Sequence, residues 1–148
     1  VDEELEPDLQ RVSLEQAIAL LKPLREHRQT RAERHQRQAQ EALQRSREHL
    51  VEAEARLTEE IQAHRARRAE LARGHLYQSM GIEELGRWHD NERRMLDELA
   101  KLRHNVHQRH ALVEEQQVQL QQASKNASQA QRAVEKLACF AEVLNDEG

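Results

Sequence analysis

Aromatic residues are nearly missing from this chain: Tyr77, Trp88 and Phe140 are each the only one of their kind, and together they make up 2% of the sequence. With charged residues at 34% and a mean hydropathy of -1.00, an ordinary globular core is excluded. Proline and glycine are scarce too, at two and four in 148 residues, which separates the chain from disordered sequences of similarly low hydropathy. What remains is rich in Ala, Leu, Glu, Gln and Arg, the residues that favour helix. Cys139 is the only cysteine, so an intramolecular disulfide and a Cys-rich zinc site are excluded and a reducing compartment, the cytosol, is expected. No apolar run approaches the roughly 20 residues that span a bilayer, and the opening V-D-E-E-L-E-P-D is too acidic for a signal peptide. A soluble protein without direct membrane insertion is expected. Residues 1–12 are set aside as an acidic terminal segment, disordered or foreign to the fold.

The net charge of -4 names no partner, but its distribution is uneven. Acids crowd both ends of the sequence, whereas Arg25, Arg28, Arg31, Arg34 and Arg37 recur at every third position. Each such step turns a helix by about 300 degrees, so these arginines spiral round it as a collar. Glu26 and Glu33 give helix-stabilising pairs, leaving two readings: a solvated, salt-bridged surface, or a basic sleeve inside an acidic partner. Nucleic acid is disfavoured because the segment carries glutamates and no stacking aromatics.

Periodicity predicts the fold. Steps of three and four from Leu85 reach Trp88, Glu92, Met95, Leu99, Leu102, Val106, Arg109, Val113, Gln116, Leu120, Ala123, Ala127, Ala130, Val134, Leu137, Ala141 and Leu144. Only Glu92, Arg109 and Gln116 are not apolar, and a 3.5-residue repeat held over about eight heptads must be buried against another helix. The first half repeats the pattern more weakly. Leu43, Leu50, Leu57 and Leu71 lie seven apart or a multiple of it, His64 fills the missing step, and Ala39, Ser46 and Ala53 alternate with them.

Ser13 with Gln16 reads as a capping box that starts helix one. Pro23 predicts a kink, or a fresh start with the proline in the first turn. Gly74, Gly81 and Gly86 are the only strong helix breakers between residues 24 and 147, so the chain is expected to turn there. The expectation is an all-α protein, one antiparallel coiled-coil hairpin over residues 13–145. Helix one covers about 13–73, a tip about 74–86 and helix two about 82–144, with a tail at 146–148. At 1.5 Å per residue the rod would be about 90 Å long.

Chemistry-bearing motifs are weak. His104, His107 and His110 fall outside the helical seam and lack the Glu of an H-E-x-x-H site, so a solvated face is favoured over a metal site. Neither a phosphate loop nor a catalytic pocket can be assembled from two helices, so neither an enzyme nor a cofactor is expected. The tip residues Leu76, Tyr77, Met80, Ile82, Leu85 and Trp88 either cap the hairpin as a small core or form a protein contact.

Three segments carry a family resemblance. The first is L-L-x-x-L-R-x-x-R-x-x-x-A, with Leu20, Leu21, Leu24, Arg25, Arg28 and Ala32. The second is L-Y-x-x-M-G-x-x-x-L-x-x-W, with Leu76, Tyr77, Met80, Gly81, Leu85 and Trp88. The third is A-x-x-A-V-E-K-L, with Ala130, Ala133, Val134, Glu135, Lys136 and Leu137. Together, from about Leu14 to Leu144, the chain resembles the type III secretion stalk proteins, the group of flagellar FliJ and injectisome YscO and SctO, and the injectisome branch in particular. The resemblance implies a central stalk whose chain ends enter the pore of a hexameric export ATPase and whose tip reaches the cytoplasmic ring of the export gate. It implies ATPase contacts at Arg25, Arg28, Arg31, Arg34, Arg132 and Lys136, and gate contacts at Leu76, Tyr77, Met80, Leu85 and Trp88. Export chaperones are further partners of the family, and the implied place is the bacterial cytoplasm, peripheral to the inner membrane at the secretion apparatus. The alternative is a coiled-coil adaptor or escort that binds export chaperones or other proteins without an ATPase.

Overall fold

The computed structural model describes residues 9–75 and 81–147. They form two long helices packed against each other, α1 (Leu9–His75) and α2 (Ile82–Asp146), with no strand among the described residues. The fold is an all-α, antiparallel helical hairpin. No described helix is long and apolar enough to cross a membrane.

The chain divides into two compact units, and each contains a stretch of both helices. Unit 1 comprises Val1–Ala42 and Gln117–Gly148. Within it the antiparallel pairing follows from three cross-helix hydrogen bonds: Arg11 Nη2 donates to the Leu144 carbonyl at 3.0 Å, Arg25 Nη1 to the Ala133 carbonyl at 2.8 Å, and Gln36 Nε2 to Ser124 Oγ at 3.2 Å. As the α1 partner advances, the α2 partner retreats. Ala127 and Leu137 are buried at this seam, and half-buried Ile18, Ala32, Ala39, Ala123, Ala130 and Val134 continue it. Small side chains dominate here, which brings the helices close enough for side-chain donors to reach the opposite backbone.

Unit 2 comprises Leu43–Gln116. Its buried residues are Leu43, Ser46, Ala53 and His64 from α1 with Leu99 and Val113 from α2. Every position of the α2 stripe from Trp88 to Leu144 is buried or half-buried, whichever unit it lies in, while Leu85 is 53% exposed. On α1 the leucine repeat is buried or half-buried at Leu43, Leu50 and Leu57, but Leu71 is 38% exposed.

Three local expectations need correction. Ser13 does not start helix one: it lies inside α1, and Arg11, before it, already pairs with Glu15 at 3.3 Å and bonds to Leu144. Tertiary contact therefore carries the helix past the capping signal. Pro23 does not start a new helix either, since α1 runs through it. Pro23 and Ala19 are both exposed, so the Ala19 carbonyl that loses its usual amide partner can bond to water, while Ile18 and Arg25 hold either side of the proline to α2. Gly74 and Gly86 do not break the chain: both are helical, and no described glycine has positive φ. Of the three glycines only Gly81 lies outside the helices, where its carbonyl accepts the first helical bond of α2 from the Leu85 amide at 3.0 Å. Glu83 and Glu84 in the first turn suit the positive end of the helix dipole.

Candidate protein-interaction surfaces

In unit 1 the structure brings two of the quoted motifs side by side. Arg25, Arg28 and Ala32 of α1 line one groove with Ala130, Ala133 and Lys136 of α2. Arg25 is not a free member of the collar. It is half-buried and spends a guanidinium donor on the Ala133 backbone, so it clamps the helices together at the groove. Arg28, Arg31, Arg34, Arg132 and Lys136 are exposed. Arg28 and Arg31 also line a neighbouring groove with His35 and Asn126, and Arg31 and Arg34 lie together in a shallow hollow with His27 and His35. None of these exposed cations makes an ion pair among the described residues, so their charge faces solvent.

Apolar surface accompanies this charge. In the same unit Leu20 is 76% exposed, Leu24 45%, Phe140 49% and Val143 53%. Leu20 and Leu24 belong to the first motif, but Phe140 and Val143 were not singled out from sequence. The signal was there: both are large apolar residues lying off the α2 stripe, which runs through Leu137, Ala141 and Leu144. In a two-helix protein an apolar residue off the stripe has nothing intramolecular to pack on, and exposed apolar surface of this kind favours protein contact.

In unit 2 the surface is built round Trp88. Leu76, Tyr77 and Met80 lie outside the described residues. Trp88 is half-buried and lines a groove with Leu71, Gly74 and Met95. Leu85 is exposed and does not line it. The inner wall is polar: His64 Nε2 donates to Glu92 Oε1 at 3.2 Å, and Arg68 Nε lies 3.3 Å from the same oxygen. A carboxylate has no proton to give, so the hydrogen of that bond belongs to the imidazole. Arg67 Nη1 reaches Met95 Sδ at 3.8 Å and closes one side of the groove over the thioether. His104, His107 and His110 are exposed, and His110 Nδ1 lies 3.6 Å from Glu114 Oε1. No group of three potential metal ligands converges among the described residues.

The fold and these surfaces define a class, a helical hairpin with a basic groove at one pair of helix segments and a tryptophan groove at another. No family model, curated protein or solved structure matches the chain.

Proposed function

We propose that this protein is the non-enzymatic central stalk of a type III secretion ATPase complex, working in the bacterial cytoplasm beside the inner membrane. In this reading unit 1, with its basic groove, enters the hexameric export ATPase, and the Trp88 groove of unit 2 meets the export gate. One observation carries the proposal. The first and third motifs of the stalk-protein resemblance are distant in sequence, yet Arg25, Arg28 and Ala32 from one share a groove with Ala130, Ala133 and Lys136 from the other. Arg28, Arg31, Arg34, Arg132 and Lys136 are exposed and make no ion pair among the described residues, so they can meet acidic groups of a surrounding ring, and Leu20, Leu24, Phe140 and Val143 supply apolar contact beside them.

The mechanism follows from symmetry. A two-helix hairpin cannot present the same surface to six subunits, so it contacts them unequally and biases ring assembly or the order of ATP turnover through differential affinity. The test is ATP hydrolysis by the cognate hexamer with and without the hairpin. Stimulation that disappears in Arg28→Glu/Lys136→Glu, with helicity unchanged, supports the stalk; an absence of both binding and stimulation by the unaltered protein removes it. Arg25 is a poor choice for this test because its loss also breaks the bond to Ala133.

The groove round Trp88 favours a second reading, a coiled-coil adaptor or escort for export chaperones or other proteins that works without an ATPase. There, Trp88→Ala abolishes the main interaction and the basic-groove variants leave it intact.

A further inference from the structure

We infer that the Trp88 groove of unit 2 receives an acidic amphipathic helix from a partner protein, one that seats an apolar side chain on Trp88 and Met95 between two carboxylates spaced two turns apart. The floor is apolar, formed by Leu71, Trp88 and Met95. Arg87 and Arg94 line the same groove from α2. They are seven residues apart, so they lie on one face of the helix about 10.5 Å from each other, with Asn91 between them on that face.

The charge accounting selects the partner. Arginines lining the groove outnumber glutamates, because Arg67, Arg68, Arg87 and Arg94 face Glu70, Glu84 and Glu92. Glu92 is already held by His64 and Arg68. Arg87 and Arg94 make no ion pair among the described residues. A purely apolar partner would strip water from these two guanidinium groups and return nothing, which is costly. A basic partner would add repulsion. A helix with carboxylates at i and i+7 meets both arginines and brings an intervening apolar residue over the floor, the helix-in-groove mode of recognition. A nucleic-acid strand fits less well, since Trp88 is the only aromatic side chain among the described residues of the groove and could stack a single base.

The inference deepens the export-gate contact of the stalk reading by naming the chemistry that would be recognised there. Its test uses no ATPase, so its failure and the failure of that reading are separable. Trp88 is the only tryptophan, and its fluorescence reports the groove directly. The full chain is titrated with a synthetic helical peptide carrying glutamates at i and i+7 and leucine between them, and with the same peptide carrying lysines in place of the glutamates. The expected result is a saturable change in Trp88 emission with the acidic peptide alone, weakened by added salt. In Arg87→Glu/Arg94→Glu the acidic peptide should lose about tenfold in affinity and the lysine peptide should now bind. That exchange of preference is not produced by a structural role, and both substituted positions are exposed. Equal response to the two peptides overturns the proposal, as does absence of a saturable response to the acidic one. An emission shift with protein concentration alone would assign the groove to a second copy of the chain, and a stronger response to a single-stranded oligonucleotide would assign it to nucleic acid; either result also overturns it.

Discussion

His64 Nε2 donates to Glu92 Oε1 at 3.2 Å across the seam of unit 2, and His64 itself is only 7% exposed. These two residues interrupt the hydrophobic repeat of their respective helices, and they meet each other. Arg68 shares the carboxylate from the rim. A slip of α2 by one heptad would set His64 opposite Leu85 or Leu99 and leave its buried donor unpaired. The pair therefore selects one alignment among several that the apolar repeat alone would permit.

Glu92→Ala should cost about 1–3 kcal/mol, the penalty for leaving a buried donor without its acceptor. Replacing both partners, His64→Leu with Glu92→Leu, should restore or exceed the original stability, because apolar residues of similar size fill such a layer at no desolvation cost. Urea melts of the two variants provide the measurement. Equal destabilisation of the single and the double variant would show that the pair contributes packing alone.

Gly86→Ala should stabilise the protein by about 1 kcal/mol. Gly86 is helical, its φ is not positive, and an added Cβ meets nothing within 4 Å. A fall in the thermal midpoint would mean that the glycine serves a bound partner or an altered conformation.

Burial separates leucines that look equivalent on paper. Leu43→Ala should cost about 2–5 kcal/mol because Leu43 is 5% exposed at the seam. Leu20→Ala, at a position 76% exposed, should change stability by no more than about 0.5 kcal/mol. If Leu20 belongs to the ATPase-contacting surface proposed above, its truncation weakens binding in a pull-down against the cognate export ATPase while the melt stays in place.

Arg11 offers a test of end-capping across helices. Its guanidinium donates to the Leu144 carbonyl, one of the last four of α2, and brings positive charge to the negative end of that helix. Arg11→Ala should cost about 1 kcal/mol and speed amide exchange in the final turn of α2, leaving Leu99 and Val113 protected. Uniform acceleration along the whole chain would argue against a local cap.

Much of the fold was legible because it depends on one helix at a time. The α2 stripe is a property of spacing, and its positions from Trp88 onward are all withdrawn from solvent. Two of its three polar members have cross-helix partners: Glu92 meets His64, and Arg109 Nη1 donates to His49 Nδ1 at 3.4 Å. The surfaces were less legible. Spacing put Arg25 in a collar with Arg28, but only the position of Ala133 made it a clamp. Phe140 and Val143 lie off the stripe in the sequence, and their exposure shows that the seam leaves both uncovered.

By itself, then, the sequence determined helix, period and the need for a second helix, because propensity and a 3.5-residue repeat are local properties of the chain. Tertiary structure decided that α1 already includes Arg11 and Ser13, that Pro23, Gly74 and Gly86 are carried inside helices, which polar residues face each other, and which arginines make no ion pair among the described residues. The physical reason is that an unpaired buried donor or a bridging guanidinium has an energy only once a specific opposite backbone is in place. That alignment is set between the two stripes, and neither stripe contains it alone.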